Sequence, residues 1–100
     1  MEEKLEQIIK HYGYSNQLKK LSEELYEFQE AVITYELDWQ STDTTQRMIK
    51  ADQKHILEEF ADVMVLMEQF RLAYEIDNDE VIKIMKQKID RQINRIKQEG

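Results

Sequence analysis

Apolar and polar positions recur along the chain with a helical rhythm, densest in the stretch Ile56–Met67. At about 100° per residue, Phe60, Val63, Met64, Met67 and Phe70 share one broad face, while Ala61 and Val65 fall elsewhere on the wheel. A helix apolar over most of its circumference is normally buried. Glu59 and Asp62, three residues apart, stack on one side beside Leu66 and Phe70. Two like charges at the rim of an apolar stripe repel each other and lose solvation, which a sequence tolerates when a cation sits between them. The stretch reads as a core helix that carries half of a metal site.

The same rhythm divides the rest of the chain. Leu5, Ile8 and Ile9 predict a short amphipathic helix from Glu2 to about His11, with Gly13 as its stop and Ser15 or Asn16 as the next N-cap. A second helix is expected from about Gln17 to Trp39, with the stripe Leu18, Leu21, Leu25, Phe28, Val32, Tyr35 and Trp39. Glu24 lies at the edge of that stripe and Glu27 a little beyond it. Gln40–Thr45 is the one loop-like polar cluster. A third helix begins within Arg47–Lys54 and continues to about Ile76. Asp77 and Glu80 have the spacing of a capping box. They start a fourth helix with Val81, Ile82, Ile84, Met85, Ile89, Ile93 and Ile96 on one side and a basic stripe on the other.

Composition fits one all-α domain, residues 1–100. Proline is absent, glycine occurs twice, and 35% of residues are charged, most of them strong helix formers. Without cysteine there is neither a disulfide nor a thiolate zinc site. No apolar run reaches membrane-spanning length, and Met1-Glu2-Glu3-Lys4 lacks the regions of a signal peptide, so a cytoplasmic setting and no membrane partner are expected. A net charge of −7 argues against nucleic acid as a partner. A small anionic ligand stays compatible, because a divalent cation inverts the local field.

Glu24 and Glu27 place Glu-x-x-Glu on the second helix, and Glu59 and Asp62 place Glu-x-x-Asp on the third. Either pair alone is ordinary helix surface, where Glu is favourable. Both pairs border apolar stripes, and antiparallel packing turns them toward each other. Four carboxylates without His or Cys suit a hard cation, Mg²⁺ or Mn²⁺. Carboxylate-bridged di-iron bundles use Glu-x-x-His, and neither His11 nor His55 follows a Glu by three. On the fourth helix Lys88, Arg91 and Arg95 form one cationic stripe.

Glu23-Glu24-Leu25-Tyr26-Glu27 followed by Glu59-Phe60-Ala61-Asp62 resembles the Glu-Glu-x-x-Glu and Glu-x-x-Asp pattern of MazG-like nucleotide pyrophosphohydrolases. These belong to the all-α NTP pyrophosphohydrolase superfamily, together with dimeric dUTPases and phosphoribosyl-ATP pyrophosphohydrolase. The likeness runs from about Leu18 to Arg95, with Gln92 where relatives tend to have Asn and about thirty residues between the acidic motifs. It implies a four-helix MazG-like bundle completed by a second copy, as a homodimer or homotetramer. The implied reaction takes a nucleoside triphosphate to the monophosphate and pyrophosphate. In that scheme Glu24, Glu27, Glu59 and Asp62 hold Mg²⁺, which bridges phosphate oxygens and acidifies a water. Glu27 or Glu23 serves as base, and Lys88, Arg95 and Arg91 neutralise the leaving pyrophosphate. Tyr12, Asn16 and Trp39 are the aromatic and amide groups available to the base. The alternatives are a non-catalytic helical regulator or adaptor retaining a cation site, and phosphoribosyl-ATP hydrolysis, whose N-terminal substrate motif has no counterpart here.

Overall fold

Four α-helices make up nearly the whole chain in the computed structural model, which covers Met1–Gly100: α1 (Glu2–Tyr12), α2 (Tyr14–Gln40), α3 (Gln46–Ala73) and α4 (Asn78–Glu99). There is no strand, as expected.

Gly13 alone separates α1 from α2. Its φ of 87° lies where an L side chain rarely sits, although an added Cβ would meet nothing within 4 Å. The constraint there is conformational, not steric. The expected cap at Ser15 or Asn16 is absent, because α2 starts at Tyr14 directly behind Gly13 with no side-chain cap. Asn16 instead donates from Nδ2 to the Tyr12 carbonyl at 2.8 Å, tying the two helices across the turn. Thr45 opens α3 by accepting from the Met48 amide at 3.2 Å. That helix ends at Ala73, short of Ile76, where Glu75 turns through a φ of 53°. The Arg71 guanidinium holds the turn, donating to Glu68 at 2.8 Å and to the Ile76 carbonyl at 3.4 Å. Asp77 caps α4 through the Asp79 amide at 2.9 Å, while Glu80 makes no return bond, so the capping box is half formed.

α2 and α3 run antiparallel, since Gln17 meets Gln69 and Phe28 meets Phe60, with ring centroids 5.7 Å apart. α1 lies across both and buries Leu5 and Ile9. The seam follows a heptad on each helix, in alternating steps of four and three. On α2 it is Gln17, Leu21, Glu24, Phe28, Ala31, Tyr35 and Asp38. On α3 it is Ile49, Asp52, Ile56, Glu59, Val63, Leu66 and Phe70. Every one of these positions is buried or half-buried, the pattern expected of knobs packed into holes.

That seam corrects the stripe read from sequence. Leu21, Phe28 and Tyr35 do face α3, but Leu18, Leu25 and Trp39 are exposed, and Gln17, Glu24, Ala31 and Asp38 take the inward flank. On α3 the series Leu57, Phe60, Met64 and Met67 likewise stays exposed. Each long helix thus has two stripes, and the chain closes on the more polar one.

The expected four-helix bundle is, within one chain, a three-helix body and an arm. α4 packs against none of the other helices and buries no residue. The short Tyr74–Asp77 connection leads it away from the body. The radius of gyration is 17.8 Å, against about 13 Å for a compact domain of this length.

Candidate metal centre

Polar residues at or beside seam positions meet one another across it in three layers. Gln17 faces Gln69, Glu24 and Glu27 face Glu59, and Asp38 faces Asp52. Hydrophobic burial by the layers between them carries this arrangement, because an isolated carboxylate is costly to remove from water.

In the middle layer Glu24, Glu27 and Glu59 each bring a carboxylate oxygen within 4.8 Å of the others. Heptad spacing dictates that approach: Glu24 occupies an inward position, Glu27 follows on the same side, and Glu59 occupies the matching position on α3. Only 6% of the Glu24 surface is exposed. Oε2 of Glu24 and Oε2 of Glu59 are buried with no hydrogen-bond partner. Glu24 Oε1 has one ion pair, to Lys20 Nζ at 3.2 Å, and His55 Nε2 stands 3.9 Å from Glu59 Oε1. The Lys20 ammonium is held above its usual range, first by its hydrogen bond to Glu24 and then by the charge of that carboxylate. The charge of Glu24 pushes the Glu27 carboxyl up, with lost solvation and the charge of Glu59 adding to it.

A divalent cation fits these residues. Around an octahedral Mg²⁺ adjacent oxygens lie about 3.0 Å apart and opposite ones about 4.2 Å, so the three carboxylates would close in by roughly 1 to 2 Å, a shift that rotation of the long Glu side chains supplies. The orphaned oxygens of Glu24 and Glu59 and the all-oxygen donor set favour a hard ion over zinc or copper.

Beside this layer opens a cavity of about 680 Å³, within the range of small-molecule sites. Glu24, Asp62, Lys20, Tyr12, Asn16 and the Gln17–Gln69 pair line it. Asp62 thus adjoins the centre from the cavity wall and lies outside the group of three converging oxygens. Glu23 is exposed, stands 3.9 Å from the Lys20 ammonium that it shares with Glu24, and is not one of the three converging carboxylates. Tyr12 and Asn16 share the cavity with Glu24. Trp39 does not share it: it is 62% exposed at the far end of α2, roughly 35 Å along the helix from Asn16. Lys88, Arg91 and Arg95 are exposed on α4 and reach no part of the centre in a single chain.

Sequence reasoning missed Gln17, Gln69, Lys20 and the Asp38–Asp52 pair. The signal was present, because Gln17 and Asp38 stand seven and fourteen residues from Glu24, in its own heptad register. An apolar stripe one position away masked it.

Comparison of the chain with known protein families, curated proteins and solved structures finds no match. No helix is long and apolar enough to cross a membrane.

The third layer supplies a pH test. Asp52 sits above the ordinary carboxylate range, first because of its hydrogen bond with Asp38, then through burial and the charge of Asp38, with His55 opposing. A raised folded-state pKa means that the proton stabilises the native state. This contribution is complete below the unfolded value of about 3.9 and is lost as pH rises through the folded one. Asp52→Asn keeps the hydrogen bond without the charge. Its Tm is expected to exceed that of the wild type at pH 7 and to match it near pH ~3.5. An advantage independent of pH would contradict the shared proton.

Proposed function

We propose that the chain is a Mg²⁺-dependent nucleoside triphosphate pyrophosphohydrolase, with Mn²⁺ as an alternative ion. The observation that carries the reading is the buried, partnerless oxygens of Glu24 and Glu59, set beside a nucleotide-sized cavity. The resemblance of Glu23-Glu24-x-x-Glu27 and Glu59-x-x-Asp62 to the MazG-like pattern supports the same reading.

Glu24, Glu27 and Glu59 would hold the cation, with Asp62 adjoining from the cavity wall. When bound, the ion supplies charge neutralisation on the polyphosphate and a more acidic water. Glu27, which converges with Glu24 and Glu59, is the better placed base; Glu23 lies outside the converging group. The base takes a proton from water as its oxygen attacks phosphorus, the link between the α- and β-phosphates breaks, and pyrophosphate leaves. Lys20, at the cavity wall, is a cation available to the phosphates from the same chain.

Lys88, Arg91 and Arg95 enter this scheme through a second copy, as a homodimer or homotetramer. Two features support such an assembly. The arm α4 and the stripes Leu18–Leu25 and Leu57–Met67 leave large apolar side chains exposed, and helices draw most of their stability from packing such faces. The charges also match: α4 has six Lys and Arg against four Asp and Glu, whereas residues 1–77 have eight against seventeen. Sedimentation equilibrium at micromolar concentration is expected to give a dimer or tetramer; a monomer would contradict it.

A free apolar arm is also what a non-catalytic adaptor would present, and turnover separates the two. With Mg²⁺ and a panel of NTPs and dNTPs, the wild type is expected to release pyrophosphate. Removing groups that only orient metal ligands costs about 10- to 100-fold, so Asp62→Asn is expected to lose activity in that range and Glu59→Gln roughly a hundredfold or more. Glu59→Gln is also expected to raise the metal-free Tm by relieving repulsion. Full activity in Glu59→Gln would remove the metal assignment, and metal binding without turnover on any nucleotide would favour the adaptor.

A further inference from the structure

Two helical turns from Glu24 toward α1, or about 10 Å along α2, lies the layer formed by Gln17 and Gln69. Both are deeply buried, at 7% and 2% exposure. Gln17 Nε2 donates to Gln69 Oε1 at 2.7 Å. A carboxamide carries two donor hydrogens and an acceptor oxygen, so this bond leaves capacity on both residues. No other side-chain hydrogen bond uses either amide. What remains toward the cavity is the Gln17 Oε1 acceptor and the Gln69 Nε2 donor. Exchanging O and N on both amides leaves the same outcome, one acceptor beside one donor.

Neither leftover atom is sealed from solvent, so both stay open to water or a ligand in the cavity. A pair serving only to tie α2 to α3 has no need to line a cavity. This one does, on the same wall as Glu24, Lys20 and Asp62, with apolar Ile8, Val65 and Leu66 and the Tyr12 ring close by. Polar groups that converge beside apolar side chains give a small-molecule site its specificity.

We propose that Gln17 and Gln69 form the hydrogen-bonding wall of a nucleobase pocket, reading a donor and an acceptor that lie side by side on the base edge. This proposal rests on the nucleotide reading of the carboxylate layer for its orientation: phosphates at Glu24 and Lys20, base toward α1, sugar across the two turns between them. Every natural base offers an adjacent donor and acceptor on its pairing edge, and reorienting the two amides fits either order. The pair therefore selects a base over no base more strongly than one base over another. A site built from buried amides rejects analogues that leave them unpaired.

The test is NMR of the side-chain amide groups in the full chain, kept metal-free with a chelator. Nucleoside 5′-monophosphates are titrated against ribose 5-phosphate as the baseless control. The Gln17 and Gln69 amide resonances are expected to shift saturably with the nucleotides and not with ribose 5-phosphate. Gln69→Met, which keeps the volume and removes the hydrogen bonds, is expected to weaken nucleotide binding about tenfold or more, and Gln17→Met repeats the test if that variant fails to fold. Amide signals that ignore every monophosphate, or that respond equally to ribose 5-phosphate, would overturn the proposal. The measurement needs neither metal nor turnover. Amide shifts in a chain that hydrolyses nothing would uphold the pocket and sink only the hydrolase.

Discussion

Burial of carboxylates at the joint between two antiparallel helices is the constraint on which the rest of the structure depends. Glu24 occupies a position that the heptad reserves for an apolar knob, and Glu59 occupies its counterpart. Removing such groups from water unpaired is expensive, and Lys20 answers only one oxygen of one of them. The flanking layers of Leu21, Phe28 and Ala31 against Val63, Leu66 and Phe70 hold the helices together despite that cost. The cluster is therefore held by rigid elements, with Glu24 and Glu27 one turn apart on α2, Glu59 on α3 and no loop involved. Such placement favours a defined geometry over an adaptable one.

The same constraint accounts for the outward faces. A helix that turns its amide and carboxylate flank toward its neighbour must turn an apolar flank toward water. On α2 this puts Leu18 and Leu25 outside, on α3 Leu57, Phe60, Met64 and Met67, and α4 extends alone with its isoleucines uncovered. In this account the polar seam and the uncovered apolar flanks are two sides of one choice of helix rotation.

The all-helical class, the number of helices, the Gly13 break and the Asp77 cap were legible in the sequence, because each rests on local chemistry that tertiary packing leaves alone. Helix rotation was not. Leu18, Leu25, Val32 and Trp39 lie one position from Gln17, Glu24, Ala31 and Asp38, and on hydrophobicity alone the first series is the better core. Tertiary pairing overrode that preference, since Asp52 and Glu59 in the α3 register, and Gln69 beside Phe70, supply polar partners. For the same reason Glu24 and Glu59 were readable as a pair while Asp62 and Glu23, chosen by motif, fall beside the cluster. Trp39 was chosen as a type of residue and lies at the wrong end of its helix. The direction of α4 depends on the four residues Tyr74–Asp77, whose turn a hydrophobic pattern does not encode.

The most direct measurement is a titration of Mn²⁺ into the metal-free chain, followed through the electron paramagnetic resonance of the free ion. Saturable loss of the free-ion signal is predicted, reversed by Mg²⁺ and abolished by Glu24→Gln, with bound ion raising Tm as binding to the native state requires. Uptake that is absent, or equal in the wild type and Glu24→Gln, would show that the buried acidic layer holds no cation.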